Sequence, residues 1–125
     1  MDVGVDIVEI PRVRGALERH EAGFRRRVYT DIEWRQCGKS VASLAGRFAA
    51  KEAVMKALGV GGMKFHDIEI VRLPSGKPDV RLTGRMQERA QRLGVVAITV
   101  SISHSRDNAV AVAIAEGGTL GGASE

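Results

Sequence analysis

The run "GRFAAKEAVMKALG", Gly46 to Gly59, constrains the fold more than any other part of this 125-residue chain. It contains strong helix formers and no proline, and winding residues 41 to 58 at about 100° each puts Val41, Leu44, Phe48 and Met55 on one stripe. That pattern predicts a long helix at the centre of the fold. Glu52 falls inside the apolar stripe, with Lys51 and Lys56 on its shoulders. A carboxylate among core positions is costly unless something positive meets it. A neighbouring lysine or a core arginine would make a structural ion pair, and a bound cation would make a site.

The first strand supplies a second carboxylate. "VGVDIVEI" carries apolar residues on both alternating faces, which predicts a central strand and not an edge. Asp6 shares a face with Val8 and Ile10. Two carboxylates on elements expected to be buried repel unless positive charge lies between them. A lysine meets that need, and so does a hard divalent cation. Mg²⁺ takes one or two protein carboxylates and completes its shell with water and phosphate oxygens. Glu9, one face over, is a third candidate.

The remaining elements follow from caps and breakers. Pro11 suits the first turn of a helix over residues 11–20, and a short basic helix follows over 22–28. Thr30 and Glu33 are spaced as a capping box. Ser40 caps the long helix from Val41, and Gly59 stops it. "HDIEIVRL" and "PDVRLTG" form a hairpin around "PSGK". A helix over 85–93 ends at Gly94. Two long strands, "VVAITVSISHS" and "NAVAVAIAE", close the fold. Ala109, Ala111, Ala113 and Ala115 give the last strand a face of small residues that lets another backbone come close. The long helix is the favoured neighbour and another subunit the alternative. Together these elements predict one α+β domain over residues 1–116, a largely antiparallel sheet packed on a long central helix. A flexible Gly-rich tail over 117–125 follows.

Composition narrows the partners. The net charge is +4, with Arg12, Arg14, Arg19, Arg25, Arg26 and Arg27 early and Arg81, Arg85, Arg89 and Arg92 later. Such patches attract acidic partners without naming them. Aromatics are only 4%, and no basic-aromatic stacking motif occurs, which argues against nucleic acid. No apolar run is long enough to span a bilayer, and "MDVGVDIVEI" lacks the basic start of a signal peptide. Cys37 is alone, which fits a reducing cytoplasm and leaves no thiolate cluster. The loop "GVGG" follows the long helix instead of preceding it, so it is a helix stop and not a phosphate cradle. His20, His66 and His104 show no zinc spacing; each taken singly is structural, with His104 at a strand end where a ligand could reach it.

These pieces, "VGVDIVEIPRV", "LAGRFAAKEAVMKALG", "HDIEI" with "SGKP", and "ISISHSRDNAVAVAIAE", resemble in order and content the holo-acyl-carrier-protein synthase family of phosphopantetheinyl transferases. They span nearly all of residues 3–116. The resemblance implies transfer of 4′-phosphopantetheine from coenzyme A to a serine of acyl carrier protein, with adenosine 3′,5′-bisphosphate as the other product. It implies a cytoplasmic place in fatty acid biosynthesis and a homotrimer with active sites shared between neighbours. Carried across by motif, Asp6 and Glu52 are Mg²⁺ ligands and Lys56 neutralises the pyrophosphate. Arg47, Lys51, His104 and the turn of Gly76, Lys77 and Pro78 are coenzyme A contacts. Arg12, Arg14, Arg26 and Arg27 dock the acidic carrier. Pro11 departs from the charged residue common in the family, and Ser103 from its threonine. The alternative, without the resemblance, is a non-enzymatic basic domain that binds an acidic protein or RNA.

Overall fold

The computed structural model of the chain describes residues 1–62 and 64–118. Strand β1 (Asp2–Glu9) runs into helix α1 (Ile10–Val28), followed by α2 (Asp31–Cys37) and α3 (Val41–Ala57). A 3₁₀ turn, Phe65–Asp67, leads into the hairpin β2 (Ile68–Arg72) and β3 (Pro78–Leu82). Helix α4 (Gly84–Arg92) and strands β4 (Val95–His104) and β5 (Asn108–Gly117) complete the order. The strands form a three-stranded sheet, β1-β5-β4, and a two-stranded sheet, β2-β3. Every pairing is antiparallel. The α+β class with antiparallel sheets against a long helix is as expected.

Local signals set most boundaries. Proline stands in the first turn of α1, and a break at His20 (φ −149°, ψ 58°) divides that helix into the two expected segments. Thr30 and Glu33 form the reciprocal capping box at α2, and the Ser40 side chain accepts from the Ser43 amide at α3. Gly59 ends α3 at φ +69°, a conformation that favours glycine.

Helix α3 lies across the three-stranded sheet, small residues on small residues. Ala109, Ala111, Ala113 and Ala115 of β5 are buried, as are Ala49, Ala50 and Ala53 of the helix. The alanine face of β5 therefore meets the helix. Gly4 lets β1 come equally close: a Cβ there would stand 2.0 Å from the Ala53 carbonyl oxygen and 2.6 Å from the Ala57 nitrogen. This approach sets Asp6, two residues on, against the turn of α3 that holds Glu52. Gly4→Ala should destabilise the fold by about 1–3 kcal/mol, since backbone can yield only by moving the strand. A urea midpoint equal to that of the wild type would rule out the close approach.

Two expectations are corrected. β1 is an edge strand and β5 the central one. Val3, Val5 and Ile7 are 60%, 54% and 66% exposed, because only the Gly4, Asp6 and Val8 face meets the helix. The stripe on α3 is core-facing only in part. Leu44 and Met55 are buried, but Val41, Phe48 and Glu52 are partly open, because the small residues take the sheet side. Gly117 belongs to β5, and the Gly118 amide donates to the Gly94 carbonyl. Residues 119–125 of the expected tail lie outside the described residues.

Candidate active site

β1 and α3 bring Asp6, Glu52 and Lys56 together. The spacing of four residues puts Lys56 one helical turn beyond Glu52 on the same side of α3. Lys56 Nζ donates to Asp6 Oδ1 at 3.0 Å and to the Val5 carbonyl at 3.1 Å. Burial pushes the Glu52 carboxyl above the ordinary carboxylate range; the negative charge of Asp6 adds to this and Lys56 opposes it. The two carboxylates are thus close enough to repel, and the lysine only partly relieves them. Both line a cleft of about 660 Å³ between β1, α1 and α3. Val8, Val13, Phe24 and Phe48 supply its apolar walls, with Arg12 and Arg19 among the charged residues. Glu9 points to the other face of β1 and is not part of it.

Among the described residues no group of three or more His, Cys, Asp or Glu is placed to hold a metal. A cation at this point would therefore have two protein ligands, both hard carboxylates. That donor set suits Mg²⁺, which keeps its remaining positions for water and phosphate.

The arginines of α1 continue from this cleft. A second hollow of about 620 Å³, sharing Ala16, Arg19 and Phe24 with the first, is lined by His20, Arg26 and Arg27. Arg12, Arg26 and Arg27 thus lie along one connected surface. Arg14 is exposed and lines neither hollow. Arg19, which joins the two, was not singled out from the sequence as a docking residue.

Arg47, Gly76, Pro78 and His104 meet elsewhere, in a pocket of about 190 Å³ between the start of α3, the β2–β3 turn and the end of β4. Gly76 makes the turn at φ +92°. Arg47 is 8% exposed and its Nε is buried without a hydrogen-bond partner. A pocket-lining guanidinium with an unsatisfied N–H is suited to meet an anion. Arg72 adds a second guanidinium there. Its backbone is clamped by Gln36, whose amide nitrogen donates to the Arg72 carbonyl and whose oxygen accepts from the Arg72 amide. Lys77 lies in the same turn, its amide donating to Ser75 Oγ. This pocket and the carboxylate cleft share no lining residue.

Lys51 is elsewhere again, and its expected contact with coenzyme A does not fit its placement. It is fully buried; Nζ donates to Glu33 Oε1 at 2.6 Å and to the Val28 and Phe65 carbonyls. All three ammonium donors are taken. Burial pulls its pKa down, and Glu33 works against that shift. Glu33 also accepts from the Thr30 and Ile70 amides, so one carboxylate ties α2, α3 and β2 together. The capping box hid this role in the sequence, because it already accounted for Glu33. Lys51→Met should cost about 3–5 kcal/mol by stranding a buried carboxylate, with part of that recovered in Lys51→Met/Glu33→Gln. Urea unfolding of the two variants is the check, and a loss below about 1 kcal/mol in the single variant would exclude the strut.

The chain as a whole is similar to known proteins. Residues 2–115 fit the family described as the 4′-phosphopantetheinyl transferase superfamily. A holo-acyl-carrier-protein synthase of Herpetosiphon aurantiacus is 44% identical over 123 residues, covering 91% of this chain and 97% of that protein. The one from Gloeobacter violaceus is 49% identical over 115 residues, 87% of each chain. A crystal structure of the Helicobacter pylori holo-acyl-carrier-protein synthase in complex with coenzyme A superposes with a TM-score of 0.84 at 33% identity, over 91% of this chain and 99% of that one.

Proposed function

This chain belongs to the 4′-phosphopantetheinyl transferase superfamily, and from that premise we propose that it moves 4′-phosphopantetheine from coenzyme A to a serine of apo-acyl carrier protein. The observation that carries the proposal is the meeting of Asp6 and Glu52 at one cleft, with Lys56 bonded to Asp6, in a chain 44% and 49% identical to two holo-acyl-carrier-protein synthases. The serine Oγ attacks the phosphorus that bears the pantetheine arm. Its bond to the bridging oxygen breaks, and adenosine 3′,5′-bisphosphate leaves with the electron pair. The hydroxyl proton passes to a base.

Asp6 and Glu52 would hold Mg²⁺. When bound, it supplies positive charge against the phosphoryl and bridging oxygens, where charge builds in the transition state. Lys56 adds a mobile cation on the same side. The cleft combines apolar walls with arginines, and those arginines would meet the acidic carrier. Arg12, Arg26 and Arg27, with Arg19 between them, form that docking surface, and Arg14 stands at its margin. Arg47 and His104, with the turn of Gly76, Lys77 and Pro78, would bind the anionic groups of coenzyme A, and the unpartnered Arg47 Nε supports this.

One chain keeps these two groups of residues apart, which supports a homotrimer whose neighbours each complete a site. The uncovered apolar face of the sheet supports it too. Val3, Val5 and Ile7 lie in register beside Ile114, Val112 and Val110. Among the described residues no helix is long and apolar enough to cross a membrane; the proposed place of action is the cytoplasm, as part of fatty acid biosynthesis.

The test is mass spectrometry of apo-acyl carrier protein incubated with this chain, coenzyme A and Mg²⁺, with and without EDTA. The expected result is a gain of about 340 Da, the phosphopantetheine arm, abolished by EDTA. No gain with several carrier proteins would favour the non-enzymatic basic domain.

A further inference from the structure

We propose that Lys56 has two stations: in the metal-free chain it is the counter-cation of Asp6, and it leaves that carboxylate when a divalent cation occupies the site. This rests on Asp6 and Glu52 being the metal ligands. The Lys56 ammonium is 3.0 Å from Asp6 Oδ1 and 3.1 Å from the Val5 carbonyl, so two of its three donors tether it beside the carboxylate that would bind the cation. Its side chain is 55% exposed, against 16% for Asp6. The lysine stem can therefore swing into solvent without opening the core, whereas Asp6 is fixed on its strand.

Charge decides which station is occupied. Without a metal, two neighbouring carboxylates need a cation, and Lys56 is the one in contact. With a dication on the same oxygens, an ammonium a few ångströms away meets twice its own charge. The dication also neutralises both carboxylates, so the attraction that held Lys56 at Asp6 is lost while the nearer cation repels it, and the weakly held lysine leaves. An ammonium released beside the cleft then seeks an anion. The pyrophosphate of the substrate is the one the proposed reaction brings, and a lysine engages it as a point charge with no fixed fork to satisfy. Metal and anion therefore bind with positive coupling, each removing an obstacle to the other, and the coupling is reciprocal. The Lys56 contact also keeps the two carboxylates from standing without a counter-charge.

The experiment is calorimetric titration of the full metal-free chain with Mg²⁺ alone, in the absence of coenzyme A. Wild type, Lys56→Met and Lys56→Arg are compared, with circular dichroism confirming that each is folded. Lys56→Met is expected to bind Mg²⁺ roughly two- to ten-fold more tightly than wild type, and Lys56→Arg to stay close to wild type. Equal or weaker binding by Lys56→Met, with wild type binding normally, overturns the two-station role and leaves the metal site standing. Absence of binding in wild type and Lys56→Met alike overturns the carboxylate pair as a metal site, and the two-station role with it.

Discussion

Glu52→Gln is expected to fold normally and yet lose transfer by a factor on the order of 10³ in kcat/KM. The amide keeps the size of the side chain and removes only its charge. No protein hydrogen bond to Glu52 is present among the described residues, so stability does not depend on it through a direct partner. The pH dependence separates this from a structural role. Burial, then Asp6, raises the Glu52 pKa in the folded chain, so the folded state binds that proton more tightly than the unfolded state does. Stability from this group is therefore complete below the ordinary carboxylate value, and it is lost as pH rises through the raised one. Without metal, wild type should weaken from mildly acidic to neutral pH, and Glu52→Gln should be flatter and at least as stable at neutrality. Adding Mg²⁺ should reverse the wild-type loss by mass action, about 2.7 kcal/mol at a hundred times Kd, and do nothing for the variant. Thermal unfolding against pH, with and without MgCl₂, reads all of this. A variant less stable than wild type at neutral pH without metal would mean that Glu52 belongs to the framework.

What the sequence reveals here, and what it hides, divides along physical lines. Glu52 and Asp6 stand out because a charge breaks an apolar period, and such a break survives in one dimension. Pro11, the Thr30–Glu33 box, Ser40 and Gly59 are equally legible, since caps and stops act over a few residues. Sheet order is not. Val3, Val5 and Ile7 read as buried, and only long-range pairing shows β1 at the edge with β5 in the centre. Lys51 and Glu33 are 18 positions apart, and nothing local joins them. Arg72 reaches the Arg47 pocket through the hairpin and Gln36, three elements that no single motif contains. Features that one residue signals by breaking a local period or capping a helix were visible. Roles that depend on two distant strands meeting were not.

That same uncovered sheet face carries the last expectation. Val5 pairs with Val112, which pairs in turn with Ser101, so position 112 is at the middle of the three-stranded sheet. Val112 is on the side away from α3, opposite the alanine face. An aspartate there should leave the monomer's core intact and place a charge at the centre of any subunit contact, where an unpaired charge is costly. Val112→Asp is therefore expected to run as a folded monomer in light scattering and to lose at least about a hundredfold in transfer. The activity is expected to fall because Asp6 and Glu52 line one cleft and Arg47 and His104 another, and under the trimer reading a neighbour brings the two together. A complementation experiment tests this cause directly. Asp6→Asn and Arg47→Ala should each be inactive alone. Refolded together in equal amounts they should recover about a quarter of wild-type activity, since one interface in four pairs an intact Asp6 with an intact neighbouring Arg47. Full activity in monomeric Val112→Asp, or no recovery on mixing folded variants, would place the whole site within one chain and remove the need for a neighbour.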